Sequence, residues 1–157
     1  MGSLFGQKLR YLRRRQHLTQ RDLATSIHPG SQAHISNMEA SRSTPSLEVI
    51  VAVANLFAIQ VAYLVREDVP VQAADHLEYQ RRSDDVPLGV AVFSLNLTRL
   101  RVQAGLTQAR LAAQLALGGH AHISFLENGH KLPSVELLQR VADRFGVTVD
   151  DLLTASP

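Results

Sequence analysis

A chain of 157 residues with 45% hydrophobic side chains holds enough apolar material for one ordinary domain or two small ones without covalent staples. It has no cysteine, which excludes a disulfide framework, a thiolate metal site and a cysteine nucleophile and makes a reducing compartment the default. The formal net charge is only +2, but residues 1–65 carry seven basic and three acidic side chains, 66–92 three and six, and 93–157 six and five, so the basic surplus lies in the first third.

From the N-terminus, Met1-Gly2-Ser3-Leu4-Phe5-Gly6 lacks the basic-then-apolar layout of a signal peptide and the hydroxyl of a myristoylation site. No apolar run approaches bilayer-spanning length, so a soluble, cytoplasmic protein is expected. Phe5, Leu9 and Leu12 recur at i, i+4 and i+7 and predict a helix from about Leu4 to Gln16, with Lys8, Arg10 and Arg14 on its opposite face. Thr19 is placed to cap a second short helix whose Leu23, Ala24 and Ile27 point inward and which Pro29-Gly30 must end. A third helix, about Ser31 to Glu39, turns Ile35 and Met38 inward and leaves Gln32, Ser36 and Asn37 outside. Pro45-Ser46 opens a fourth, with Leu47, Ile50, Val51, Ala54 and Phe57 for the core, and a short fifth ends near Leu64. Residues 67–88, bounded by Pro70 and Pro87 and rich in charge, read as an acidic, solvated linker; a short connecting helix around Leu77, from Gln72 to Arg82, is the alternative.

The remainder repeats the first part. Shifting the sequence by 88 positions lays Phe5–Val65 on Phe93–Leu153 without a gap and with 23 of 61 positions identical. Each copy has the size of a small domain and is far longer than a solenoid repeat. In the second copy Gly105 ends the first helix, Gly118-Gly119 forms the turn, and Thr148 with Asp151 makes a capping box for the last helix. No alternating strand pattern competes. The expected fold is all-α, two tandem five-helix domains at 1–66 and 89–157.

The shared residues are patterned: Leu9-x-x-Leu12-Arg13, Leu18-Thr19-Gln20-x-x-Leu23-Ala24, Ile35-Ser36-x-x-Glu39 and Pro45-Ser46, each matched in the second copy. This pattern resembles the phage-repressor and Cro-like helix-turn-helix family, also called XRE, over most of the chain outside the linker and termini. The resemblance implies lambda-repressor-like domains that bind double-stranded DNA, with the second helix of each copy bracing against the backbone and the third lying in the major groove. Gln20 and Gln108, at a helix N-terminus, then face phosphate. On the reading helix of the first copy Gln32 and Asn37 carry amides suited to adenine, and Ser31 and Ser36 can bond bases or phosphates. The second copy offers Gly119, His120, Ser124 and Phe125 there. The resemblance also implies ion pairs Arg13–Glu39 and Arg101–Glu127 that stabilise the fold, with phosphate contact by the two arginines as the alternative.

Other chemistries find little to carry them. The run Arg13-Arg14-Arg15 reads as a solvated face or as phosphate steering. His120-x-His122 has no nearby carboxylate or cysteine, so no metal is expected, and no cofactor. Ser36 and Ser124 lack nucleophile-elbow glycines and Gly118-Gly119 follows no strand, so no enzyme is expected. Phe125 has three open roles: contact with a thymine methyl, an interface, or packing within its own domain. The leading reading is a sequence-specific DNA-binding transcriptional regulator, most simply a repressor. The alternative keeps DNA binding in the first copy and makes the second a module for self-association, as in a homodimer, or for a protein partner.

Overall fold

Hydroxyl side chains start most of the helices. The computed structural model describes residues 2–27, 31–76 and 88–155, and the chain divides into two units, Met1–Asp85 and Val86–Pro157. In the first unit α1 spans Gly2–Arg15, α2 Gln20–Ser26, α3 Gln32–Glu39, α4 Leu47–Phe57 and α5 Val61–Val65. In the second α6 spans Val92–Gln103, α7 Gln108–Gln114, α8 His120–Glu127, α9 Val135–Phe145 and α10 Val149–Leu153. Thr19 caps α2 through a reciprocal box with Asp22, Ser31 accepts from the His34 N–H, and Ser46 accepts from the Val49 N–H. Thr107, Ser134 and the Thr148–Asp151 box do the same in the second unit. Each cap stabilises its helix by about 1 kcal/mol. Pro29-Gly30, expected to end α2, lies outside the described residues.

The inward stripes meet in one core per unit. Leu9, Leu23, Ile35, Met38, Ile50 and Leu64 are buried in the first, and Leu97, Leu111, Ile123, Leu126, Leu138 and Leu152 in the second.

Lys8 corrects the sequence reading. It does not share the solvated face of Arg10 and Arg14 but is 0% exposed, because position 8 belongs to the 5, 8, 9, 12 stripe that a helix turns to one side. Its ammonium donates to the carbonyls of Tyr63 and Arg66, both at 2.6 Å, satisfying groups that the end of α5 leaves without intrahelical partners. Burial drags its pKa down to about 8 despite the nearby carboxylates of Asp68 and Glu67. At the equivalent place in the second unit, Asn96 donates to the carbonyls of Asp151, Leu152 and Thr154. Two different side chains thus tie the first helix to the last.

The segment expected to be a solvated linker is packed over its first part. Val69, Ala73 and Ala74 are buried, and Val71–Asp75 forms a 3₁₀ helix held on α1 by Tyr11 donating to Asp75 at 2.7 Å and an Arg15–Asp75 ion pair at 3.0 Å. Tyr63 of α5 donates to the Val71 carbonyl. Arg15 is therefore paired with this segment. The rest of the expected connecting helix, including Leu77, lies outside the described residues.

The two units differ at three corners where the backbone is left-handed. His17, Ser41 and Ala58 hold φ of 57°, 58° and 50°, and their counterparts Gly105, Gly129 and Gly146 hold 65°, 70° and 65°. A Cβ there meets the following carbonyl oxygen, a strain that glycine avoids. Ala58→Gly should stabilise the first unit by about 0.5–1 kcal/mol, and Gly146→Ala should weaken the second by a similar amount. Chemical denaturation of the full chain checks both; unchanged midpoints would refute the strain argument.

Candidate nucleic-acid interface

The third helix of each unit, α3 or α8, is positioned by one carboxylate whose side chain is almost wholly buried. Glu39, at the end of α3, accepts two hydrogen bonds from Arg13 of α1, at 2.6 and 3.0 Å, and one from the Gln20 amide of α2 at 3.0 Å. The remaining arm of Arg13 donates to the Leu18 carbonyl at 2.8 Å, so one guanidinium and one carboxylate tie α1, the turn before α2, α2 and α3 together. The second unit repeats every link: Arg101 to Glu127 at 2.5 and 3.1 Å, Gln108 to Glu127 at 2.8 Å, and Arg101 to the Leu106 carbonyl at 2.9 Å. The fork geometry of Arg against a carboxylate makes this demanding of direction as well as distance. Arg13 and Glu39 expose only 11% and 5% of their side chains, so the pair is largely withdrawn from solvent.

Gln20 and Gln108 were expected to face phosphate. The structure turns an amide N–H of each inward to the glutamate, while the Thr19 and Thr107 hydroxyls take the backbone N–H groups of Asp22 and Arg110 at the start of α2 and α7. Between α1 and α3 the approach is close. A Cβ on Gly6 would collide with the Met38 carbonyl oxygen and crowd the Ser41 hydroxyl, and in the second unit the glycine and serine change places, with Ser94 on the first helix facing Gly129.

The outer surface of α3 carries the residues singled out as readers. Ser31, Gln32 and Asn37 are exposed and Ser36 is half-buried; the Ser31 hydroxyl also caps the helix. On α8, His120 is exposed, Ser124 is half-buried and accepts from the Asn128 amide at 3.3 Å, and Gly119 stands at the N-cap without a side-chain cap. Phe125 is 52% exposed and its ring lies 6.4 Å from that of His130. Residues not singled out from the sequence as readers complete these surfaces. Arg21 and Arg42 are exposed in the first unit and Arg110, His130 and Lys131 in the second; their signal was a polar or basic side chain in the first turn of α2 or α7, or just after α3 or α8. Arg140 and Arg144 of α9 turn inward to the end of α7, donating to the Leu115 carbonyl at 2.7 Å and to Gln114 at 2.6 Å.

Two helices braced at this fixed relation, the second presenting an exposed outer face, occur twice in one chain. A family model described as helix-turn-helix matches residues 9–64 and again 97–152. The chain belongs to the XRE/Cro-like helix-turn-helix family. Searches of curated proteins and of solved structures returned no match. Membership in this family implies DNA binding, and among the described residues no helix is long and apolar enough to cross a membrane.

Burial alone would raise the Glu39 carboxyl, but the hydrogen bonds from Arg13 and Gln20 outweigh it and hold the group below its ordinary value of 4.5. With the folded pKa below the unfolded one, this stabilisation is complete at neutral pH and is lost as pH falls through the folded value. Glu39→Gln should cost the first unit about 3 kcal/mol at neutral pH. Urea titrations at neutral pH and well below 4.5 should show the gap between parent and variant closing in acid; a gap that stays constant would mean that the ion pair is not its source.

Proposed function

We propose that the chain is a sequence-specific DNA-binding transcriptional regulator, most simply a repressor that occludes a promoter, with no enzymatic role, and that α3 is its principal reading helix. The observation that carries this is the exposed pair Gln32 and Asn37 on a helix whose orientation is fixed by the Arg13–Glu39–Gln20 cluster. Side-chain amides bind adenine bidentately in the major groove, and a fixed helix is what converts such contacts into discrimination. Exposed Arg10, Arg14, Arg21 and Arg42 surround the same unit and supply cations for phosphate. Arg15 contributes less, because Asp75 holds it.

Titration of the full chain on a selected site should give a log–log salt slope of about −4 to −5, if roughly 4 to 6 phosphates are neutralised. Gln32→Ala or Asn37→Ala should lose about 1–3 kcal/mol on that site and almost nothing on scrambled DNA. Arg21→Ala should weaken both and reduce the slope by about 1. Equal losses on both sequences for Gln32 and Asn37 would remove α3 as the reader.

One observation favours a second reading, in which the second unit serves self-association. Leu95, Val102, Phe125 and Leu132 are 73%, 61%, 52% and 39% exposed, and all four lie in that unit. Leu95 and Val102 stand two turns apart on one side of α6, where the first copy has Gln7 and Arg14. On this reading Leu95→Glu with Val102→Glu converts a dimer to a monomer by light scattering; a parent monomeric at every concentration rules it out.

A further inference from the structure

We propose that one chain reads a composite operator made of two related but unequal blocks, one under α3 and one under α8. The inference rests on the DNA-binding reading above and specifies what sequence is read. The equivalent Arg–Glu–Gln clusters hold α3 and α8 in equivalent local frames, so residues 88 positions apart face equivalent places in a groove. Three of these pairs are identical: Ala33 with Ala121, His34 with His122, and Ser36 with Ser124. Bases beneath them are common to both blocks. Two exposed pairs differ in kind, Gln32 against His120 and Asn37 against Phe125.

The chemistry of those two pairs sets where the blocks diverge. An amide offers a donor and an acceptor together and matches the N6 and N7 edge of adenine. A neutral imidazole carries one N–H donor and one acceptor nitrogen in the ring plane but on different sides of the ring, and cannot reproduce that bidentate match. A phenyl ring forms no hydrogen bond and gains from the thymine methyl, so Phe125 selects against the base that Asn37 prefers. With Ser31 against Gly119 at the helix start as a further difference, two heads that are alike at three positions and unlike at three cannot be satisfied equally by a perfect repeat or a perfect palindrome. Eleven residues, 77–87, separate the described parts of the two units; fully extended they reach at most about 40 Å, comparable to the roughly 34 Å between successive major-groove faces.

The test is selection of bound sites from a random duplex pool with the full chain, repeated with Gln32→His plus Asn37→Phe, with the reciprocal His120→Gln plus Phe125→Asn, and with Phe125→Ala. The parent should enrich two unlike blocks that share a common centre. Either swap should bring the two blocks into agreement at the positions under those two pairs, and Phe125→Ala should lower the base preference at one position of one block about tenfold while leaving the other block intact. Both swaps alter exposed side chains, and circular dichroism of each confirms the fold. Two identical blocks from the parent, a single block, or a second block indifferent to Phe125→Ala would overturn the composite operator while leaving DNA binding by the first unit standing. No enrichment by a folded parent would instead overturn the DNA-binding reading itself.

Discussion

A carboxylate withdrawn from water must be surrounded by donors whose directions are fixed, and each domain uses that requirement to set its geometry. Glu39 and Glu127 each accept from an arginine on the first helix and a glutamine on the second, so three helices cannot rotate independently without leaving a charge unpaired. The penalty for that is several kcal/mol, far above the few tenths that a surface pair contributes. The six residues involved in the two clusters are the same three types at matching positions, whereas the surfaces around them have diverged. Hydrophobic burial holds each core together; the ion pair decides at what angle the third helix leaves it.

Much of this was legible in the residues. Helical periodicity placed the buried stripes, and Thr19, Ser46 and Thr148 marked helix starts because a hydroxyl ahead of a periodic run has backbone N–H groups to satisfy. Lys8 was misplaced for an instructive reason. A charged side chain argues for solvent, yet its position fell within the apolar stripe, and the polar Asn96 at the same place in the second copy was a sign that both answer to something inside. The packing of Val69, Ala73 and Ala74 was hidden because a short 3₁₀ segment has no long period to recognise, and its proline and charges resemble those of a linker. The inward turn of Gln20 was equally hidden, since an amide at a helix start can face either way until its neighbour across the fold is known.

The same frame has been finished differently in the two copies. In the second, Arg140 and Arg144 reach back to the end of α7, where the first has Ala52 and Leu56, and exposed apolar side chains appear on its surface. In the first, a trailing segment closes over α1. These differences leave the inner clusters untouched, which is how two surfaces can acquire different chemistry without altering the scaffold that presents them.

The tie between Lys8 and the end of α5 joins residues 55 and 58 positions apart in the chain. During synthesis the lysine therefore emerges long before its acceptors, and the apolar stripe it sits in has no complete core to enter until α5 has left the ribosome. Closure of the first domain must then be late and cooperative, with α1 waiting for the rest rather than nucleating it, since contacts of such sequence separation form only after the chain between them has been ordered. Once closed, that domain is a finished unit while the second is still being made. A chain truncated and released in the linker would accordingly carry one folded head, whereas a chain ending before residue 66 would carry none.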